Sequence, residues 1–382
     1  MVISILEMGT KTQLDRLIQS IAVVYYVTMT TLVIPLTVYC TAILLLGVLL
    51  LRRIFKFDIL YYSRACQLMI GMTNDCWTSA ANYMGLKLTE YGDDISKIAN
   101  KRVLFLCNHL CIMDNFCLMT AFHNKAGLAP KYLWLIYNVY RATTVGLTWA
   151  IHGGFFVNFG PENRQKVLKD LRQFLLKKYW RHDYGWIVIF PEGGRHYLIE
   201  EAERKFAKKV GIEPFEHCAH PRIGAAHTVI STCGISNNDS SKTNITTHPP
   251  LDYVVDCTLG YPNREGIEFK NAIFAEWPND NPNVAIHYKI YPIQSEWKDE
   301  NKFKEWIYDR YAEKDKLLHN YYKTGKFDDS QPRVIKYNLI CNILCQLFWF
   351  GAFYFHMSWA YPLTSWLVTS TIGCVKSKLV GF

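Results

Sequence analysis

Residues 102–116 read "RVLFLCNHLCIMDNF". The first part, Arg102 to Cys107, is short and rich in apolar residues with a β-branched start, so it reads as a strand. Asn108, His109 and Asp114 follow at once, at the strand's exit or in the first turn of a following helix. Three other runs have the same character: Trp186–Phe190, Tyr253–Leu259 and Val284–Ile290. Helical patterns separate them. Gln165–Lys178 puts Val167, Leu168, Leu171, Phe174 and Leu175 on one stripe, and Ile199–Lys209 is charged and amphipathic. This alternation predicts an α/β fold, a mixed sheet flanked by helices, with functional groups at strand ends.

The H-x4-D pair is the first candidate site. Were a helix to begin near Asn108, an offset of five residues would turn the two side chains about 140° apart, close enough for a carboxylate to reach a ring nitrogen. The carboxylate would fix the tautomer and stabilise the imidazolium, leaving the other nitrogen to take a proton from an attacking hydroxyl. The competing reading is a polar residue that caps a helix. The second candidate is "WIVIFPEGGRH", residues 186–196, a strand that stops at Pro191 and delivers Glu192, Gly193, Gly194 and Arg195. Consecutive glycines let backbone N–H groups approach a ligand, and a guanidinium beside them suits phosphate. An ordinary strand-to-helix turn would look the same. His217, His220 and His227 are spaced by three and seven, which matches no common metal-ligand pattern, and no metal is assigned. Twelve cysteines without a CxxC pair, five of them (Cys40, Cys107, Cys341, Cys345, Cys374) in apolar stretches, read as reduced core thiols.

Both ends of the chain are built for a bilayer. Ile21–Leu51 is a 31-residue run without a charge that stops at Arg52, Arg53 and Lys56. A span takes about 20 residues, so this run is longer than one straight crossing; with Pro35 near its middle, it is either a tilted, kinked helix or a re-entrant hairpin of two half-helices. A signal peptide or a buried soluble-core helix fits its length less well. Asn338–Val375 is also uncharged, broken by Pro362 and dense in aromatics that favour the headgroup level. Leu68–Leu86 reads as an amphipathic helix on the bilayer or a simple packing helix. The net charge of +9 and patches such as Lys205, Lys208 and Lys209 suit an anionic lipid surface, and no nucleic-acid recognition motif accompanies them. Basic residues 52, 53 and 56, set against Lys11 and Arg16, favour a cytosolic middle. Two sequons, at Asn238 and Asn244 in the polar loop 234–250, would count only if that loop were lumenal.

The motifs "NHLCIMD", "GGFFVNF", "FPEGGR" and "HPR", in this order and at these spacings, resemble those of the glycerolipid acyltransferases, the 1-acylglycerol-3-phosphate acyltransferase superfamily. The resemblance covers roughly residues 60–330 and is strongest to the lysophosphatidylglycerol branch, with the lysocardiolipin branch next. Together with the apolar ends it divides the chain into four segments: a transmembrane or re-entrant anchor (1–60), amphipathic interfacial helices (61–100), a catalytic domain (101–330) and a C-terminal membrane segment (331–382). It further implies acyl transfer from acyl-CoA, as co-substrate and without a cofactor, to the free hydroxyl of a lysophospholipid, in the endoplasmic reticulum membrane with the catalytic domain cytosolic. His109 would be the general base and Asp114 its orienting partner. Asn108, Glu192, Gly193, Gly194, Arg195 and Arg222 would contact substrate, Arg222 as a phosphate ligand unless a structural ion pair holds it. The Gly193 and Gly194 amides, or Asn108, would serve the oxyanion. One departure stands out: where phosphatidate-forming relatives carry an arginine, this chain has Asn158 and Phe159, which speaks against a phosphomonoester acceptor unless Arg164 compensates. A CoA-independent transacylase and a non-catalytic lipid-binding protein are the alternatives, and the oligomeric state is left open.

Overall fold

The computed structural model describes residues 13–50, 59–123, 125, 127–128, 131–158, 160–234, 248–264, 266–274, 276–277 and 281–380. Lys11, the basic residues 52, 53 and 56, Phe159 and both sequons lie outside them. The strands are β1 (Lys87–Gly92), β2 (Val103–Cys107), β3 (Tyr132–Tyr137), β4 (Phe155–Val157), β5 (Trp186–Ile189), β6 (Tyr253–Gly260), β7 (Asn283–Pro292) and β8 (Arg333–Val334). The helices are α1 (Gln13–Thr28), α2 (Ile34–Leu50), α3 (Ile59–Tyr83), α4 (Asp114–Phe122), α5 (Thr144–His152), α6 (Arg164–Phe174), α7 (His196–Val210), α8 (Ile223–Cys233), α9 (Phe269–Phe274), α10 (Glu300–Thr324) and α11 (Leu339–Val380).

One mixed sheet runs in the order β4-β3-β5-β2-β6-β7-β1-β8. Strands β3, β5, β2 and β6 are mutually parallel, whereas β7 is antiparallel to β6 and β8 to β1. The pleat sends alternate residues of β2 to opposite faces. Phe105 and Cys107 join a core with α3, α4 and Trp186, while Leu104 and Leu106 join a second core under α6, α8 and α10. Each fully buried large side chain contributes about 1.5–3 kcal/mol, so two helical layers clamp the centre of the sheet. An ion pair between Lys314 of α10 and Asp256 of β6 adds a polar tie there, with both side chains buried.

Two features differ from the sequence reading. The sheet begins at Lys87, inside the stretch expected to be only interfacial helices, because residues 87–92 alternate in burial and pair with β7. Helix α3 is a packing helix through most of its length: Cys66, Met69, Ile70, Cys76 and Ala81 are buried, and Asn74 Nδ2 donates to the Met119 carbonyl of α4 at 3.0 Å.

The backbone is helical without a break from Gln13 to Leu50, so the hairpin alternative is not realised. A π turn at Met29–Val33 precedes Pro35, absorbing the missing amide without a reversal. This helix and the one at Leu339–Thr371 are long and apolar enough to cross a bilayer, and their outer faces carry exposed Leu14, Ile21, Leu347 and Trp366. They fasten to α3 through Tyr26 and Ser79 (3.0 Å), and through Cys345 and Trp349, which both donate to the Met72 carbonyl. Helix α3 also packs on α4, so it lies between the apolar helices and the helix that begins with Asp114.

Candidate active site

Strands β2, β5 and β6 are parallel neighbours, so their C-terminal ends open on one side of the sheet. Helix α4 starts at Asp114, not near Asn108; residues 108–113 form a tight exit from β2 that folds His109 back over the helix start. His109 Nδ1 lies 2.7 Å from Asp114 Oδ2. The same oxygen accepts the Leu110 and Cys111 amides at 2.7 and 3.1 Å, while Oδ1 accepts the Tyr261 hydroxyl at 2.8 Å and the Cys111 thiol at 3.4 Å. With both oxygens acting as acceptors, Nδ1 is the protonated nitrogen and Nε2 carries the lone pair. Asp114 is wholly buried, His109 is 18% exposed at its side chain, and its ring stacks on Phe190 with centroids 4.3 Å apart. The Asp114 contact and the stacked ring fix the imidazole, leaving Nε2 as the ring nitrogen not taken up by Asp114.

The turn after β5 is the second wall. Gly193 has φ +74°, a conformation that favours glycine, and a Cβ there would meet the Arg222 side chain at 3.1 Å. Its amide donates to the Phe190 carbonyl at 3.1 Å, which removes it from the expected oxyanion donors. The Gly194 amide has no acceptor among the described residues and remains a donor candidate. Arg195 caps α7 and rests on Tyr197, its guanidinium 5.6 Å from the ring centroid. Arg222 is exposed, anchored through its amide to the Pro191 carbonyl at 2.7 Å, and has no carboxylate partner among the described residues. It stands over the glycine turn, and no described residue realises the ion-pair alternative.

Two expected substrate ligands turn inward instead. Asn108 is fully buried, its amide donating to the Leu259 carbonyl at 2.9 Å and accepting the Leu259 amide at 2.8 Å. It bridges β2 and β6 as an extra peptide unit would and has no route to substrate. Glu192 is also buried; its Oε1 accepts the His109 amide at 3.2 Å, and Oε2 has no hydrogen-bond partner among the described residues. Burial pushes its carboxyl well above the usual range, against the His109 and Ala219 amides, which pull it down. Glu192 is thus a positioning residue that holds the backbone of the histidine.

This raised value gives a stability prediction with a definite sign. A carboxyl that binds its proton more tightly when folded contributes stability below the unfolded pKa near 4.5 and loses it as pH rises toward the folded value. Glu192→Gln, which keeps the acceptor and cannot ionise, is therefore expected to gain in melting temperature on wild type as pH is raised from about 4 to 8. Parallel melting curves across that range would contradict it.

Tyr261 is the residue that motif reading missed. It follows β6, 147 positions from Asp114, just past the run Tyr253–Leu259 that reads as a strand. Asn158 follows β4 in an exposed position and Arg164 opens α6, exposed as well. Of the histidine series, His220 pairs with Glu203, and His227 Nε2 sits 3.1 Å from the Lys298 carbonyl. Beside the His109–Asp114 pair an apolar cavity runs between α1, α3 and α4, lined by Tyr26, Val27, Trp77, Ala81, Met113 and Phe116.

The family model described as Acyltransferase matches residues 88–244, and the one described as Acyltransferase C-terminus matches 280–349, together more than half the chain. A Caenorhabditis elegans protein named "Putative 1-acyl-sn-glycerol-3-phosphate acyltransferase acl-12" is 34% identical over 353 residues, covering 92% of this chain and 88% of its own. The mouse and human proteins named acyl-CoA:lysophosphatidylglycerol acyltransferase 1 are 30% and 29% identical over 256 residues, each covering 65% of this chain and 68% of its own. Among solved structures, a 1-acyl-sn-glycerophosphate acyltransferase from Thermotoga maritima covers 79% of this chain and 97% of its own at 13% identity, with a TM-score of 0.41.

Proposed function

Because the chain belongs to the glycerolipid acyltransferase superfamily, we propose that it moves a fatty acyl group from acyl-CoA to the free hydroxyl of a lysophospholipid that carries a headgroup. The observation that carries this reading is the buried Asp114 holding His109 at Nδ1, which leaves Nε2 as the ring nitrogen not taken up by Asp114. The acceptor oxygen attacks the thioester carbonyl carbon while Nε2 takes its proton. Charge gathers on the carbonyl oxygen, for which the Gly194 amide is the candidate donor. Collapse breaks the C–S bond, and the departing thiolate recovers the proton from the imidazolium. A thiol of pKa about 8.5 leaves readily, so the demanding step is deprotonating the alcohol, and one positioned base serves both transfers.

Arg222 beside the glycine turn supports a phosphate contact, and the apolar cavity supports an acyl chain lodged against α1 and α3. Asn158, in place of a forked guanidinium, supports a phosphodiester acceptor over a phosphomonoester. The two apolar helices support residence in a membrane, which we assign to the endoplasmic reticulum with the catalytic domain cytosolic.

A direct test supplies purified protein with labelled acyl-CoA and, separately, lysophosphatidylglycerol, lysophosphatidylethanolamine, lysophosphatidylinositol and lysophosphatidate. Product is expected from at least one headgroup-bearing acceptor at a kcat/KM tenfold or more above lysophosphatidate, with Arg222→Ala raising the acceptor KM. Fastest turnover of lysophosphatidate would overturn the acceptor assignment. Product formed without any CoA thioester would overturn the donor.

A further inference from the structure

Glu216 and His217 lie just before the segment that sends the Ala219 amide to Glu192 and the Arg222 amide to Pro191. Facing them on α10 are Asp315 and His319, one turn apart. Three ligand atoms converge here. His217 Nε2 is 3.4 Å from His319 Nδ1, and Glu216 Oε2 is 3.5 Å from each of those nitrogens. Four-coordinate zinc, with bonds of about 2.0–2.1 Å, sets its ligand atoms about 3.3–3.4 Å apart, close to this triangle. We propose that Glu216, His217 and His319 bind a zinc-type divalent cation, with water as the fourth ligand, clamping the 216–222 segment to α10.

The surroundings suit such a site. The Arg264 guanidinium takes Glu216 Oε1 at 2.8 Å and leaves Oε2 for the metal, which is how outer-shell partners orient a ligating carboxylate. The Asp315 carboxylate accepts the His217 amide at 2.7 Å, which holds the backbone of that ligand against α10. His217 and His319 are 102 positions apart, so no local spacing reveals the set. Without a metal, the same atoms would form a small hydrogen-bonded triad.

The experiment distinguishes these states. Full-length protein in detergent is stripped with EDTA, then Zn²⁺ is titrated in competition with a chromophoric chelator, and Co²⁺ is added to a second sample. One zinc per chain is expected, a four-coordinate visible spectrum with cobalt, and a zinc-dependent rise in melting temperature of a few degrees. His319→Ala, at a side chain more than half exposed, and Glu216→Gln are each expected to weaken binding at least tenfold and abolish the thermal shift. His227→Ala should bind as wild type does. No saturable zinc binding, or undiminished affinity in His319→Ala, would overturn the site.

Discussion

His109→Ala is expected to lower acyl transfer by about 10²- to 10⁴-fold, the usual contribution of a positioned general base. The fold should survive, because the side chain is partly exposed and, among the described residues, its one polar contact is the bond to Asp114. What anchors the segment is backbone: the His109 amide donates to Glu192 and its carbonyl accepts the His196 amide at 2.7 Å. Alanine keeps both. The variant should therefore melt near wild type and still bind acyl-CoA, since no group proposed to hold the thioester is removed. Measuring initial rates at saturating acyl-CoA, with melting temperature and acyl-CoA affinity recorded on the same preparation, separates lost chemistry from lost structure. A rate within threefold of wild type would remove His109 from the mechanism.

The centre of this fold is easier to read than its edges, for a physical reason. Strands β2, β5 and β6 are covered on both faces, so their sequences are nearly unbroken apolar runs. At the margins, β4 has three residues and β8 two, too few to establish a period, and β1 mixes Lys87 and Glu90 into its pattern. Helix α10 hides for another reason. Its buried stripe of Phe303, Ile307, Tyr311, Leu318 and Tyr321 includes Lys314, whose charge is answered by Asp256 from a strand 57 or 58 positions away. The site divides in the same way. His109 and Asp114 share one turn, so spacing could pair them, whereas the inward roles of Asn108 and Glu192 depend on β6 and on the His109 backbone, which only the tertiary structure brings together.

Asp114→Asn carries the second large expected effect, a fall of roughly 10²- to 10³-fold within the span that acid–base assistance supplies. Three donors converge on Oδ2: the His109 ring, the Leu110 amide and the Cys111 amide. Asparagine can place its carbonyl oxygen there and turn its NH₂ toward the Tyr261 hydroxyl, which can then accept. The hydrogen-bond pattern and the tautomer persist while the negative charge is lost, so the substitution isolates what the charge does for the imidazolium. Asp114→Ala also leaves the two amides and the Tyr261 hydroxyl buried without an acceptor, at about 1–3 kcal/mol for each such group. It should melt well below Asp114→Asn. Tyr261→Phe removes one bond to the carboxylate and should cost far less rate than either. If Asp114→Asn matched wild type in rate, the carboxylate would be a structural tie for residues 109–111 and the base would act without its help.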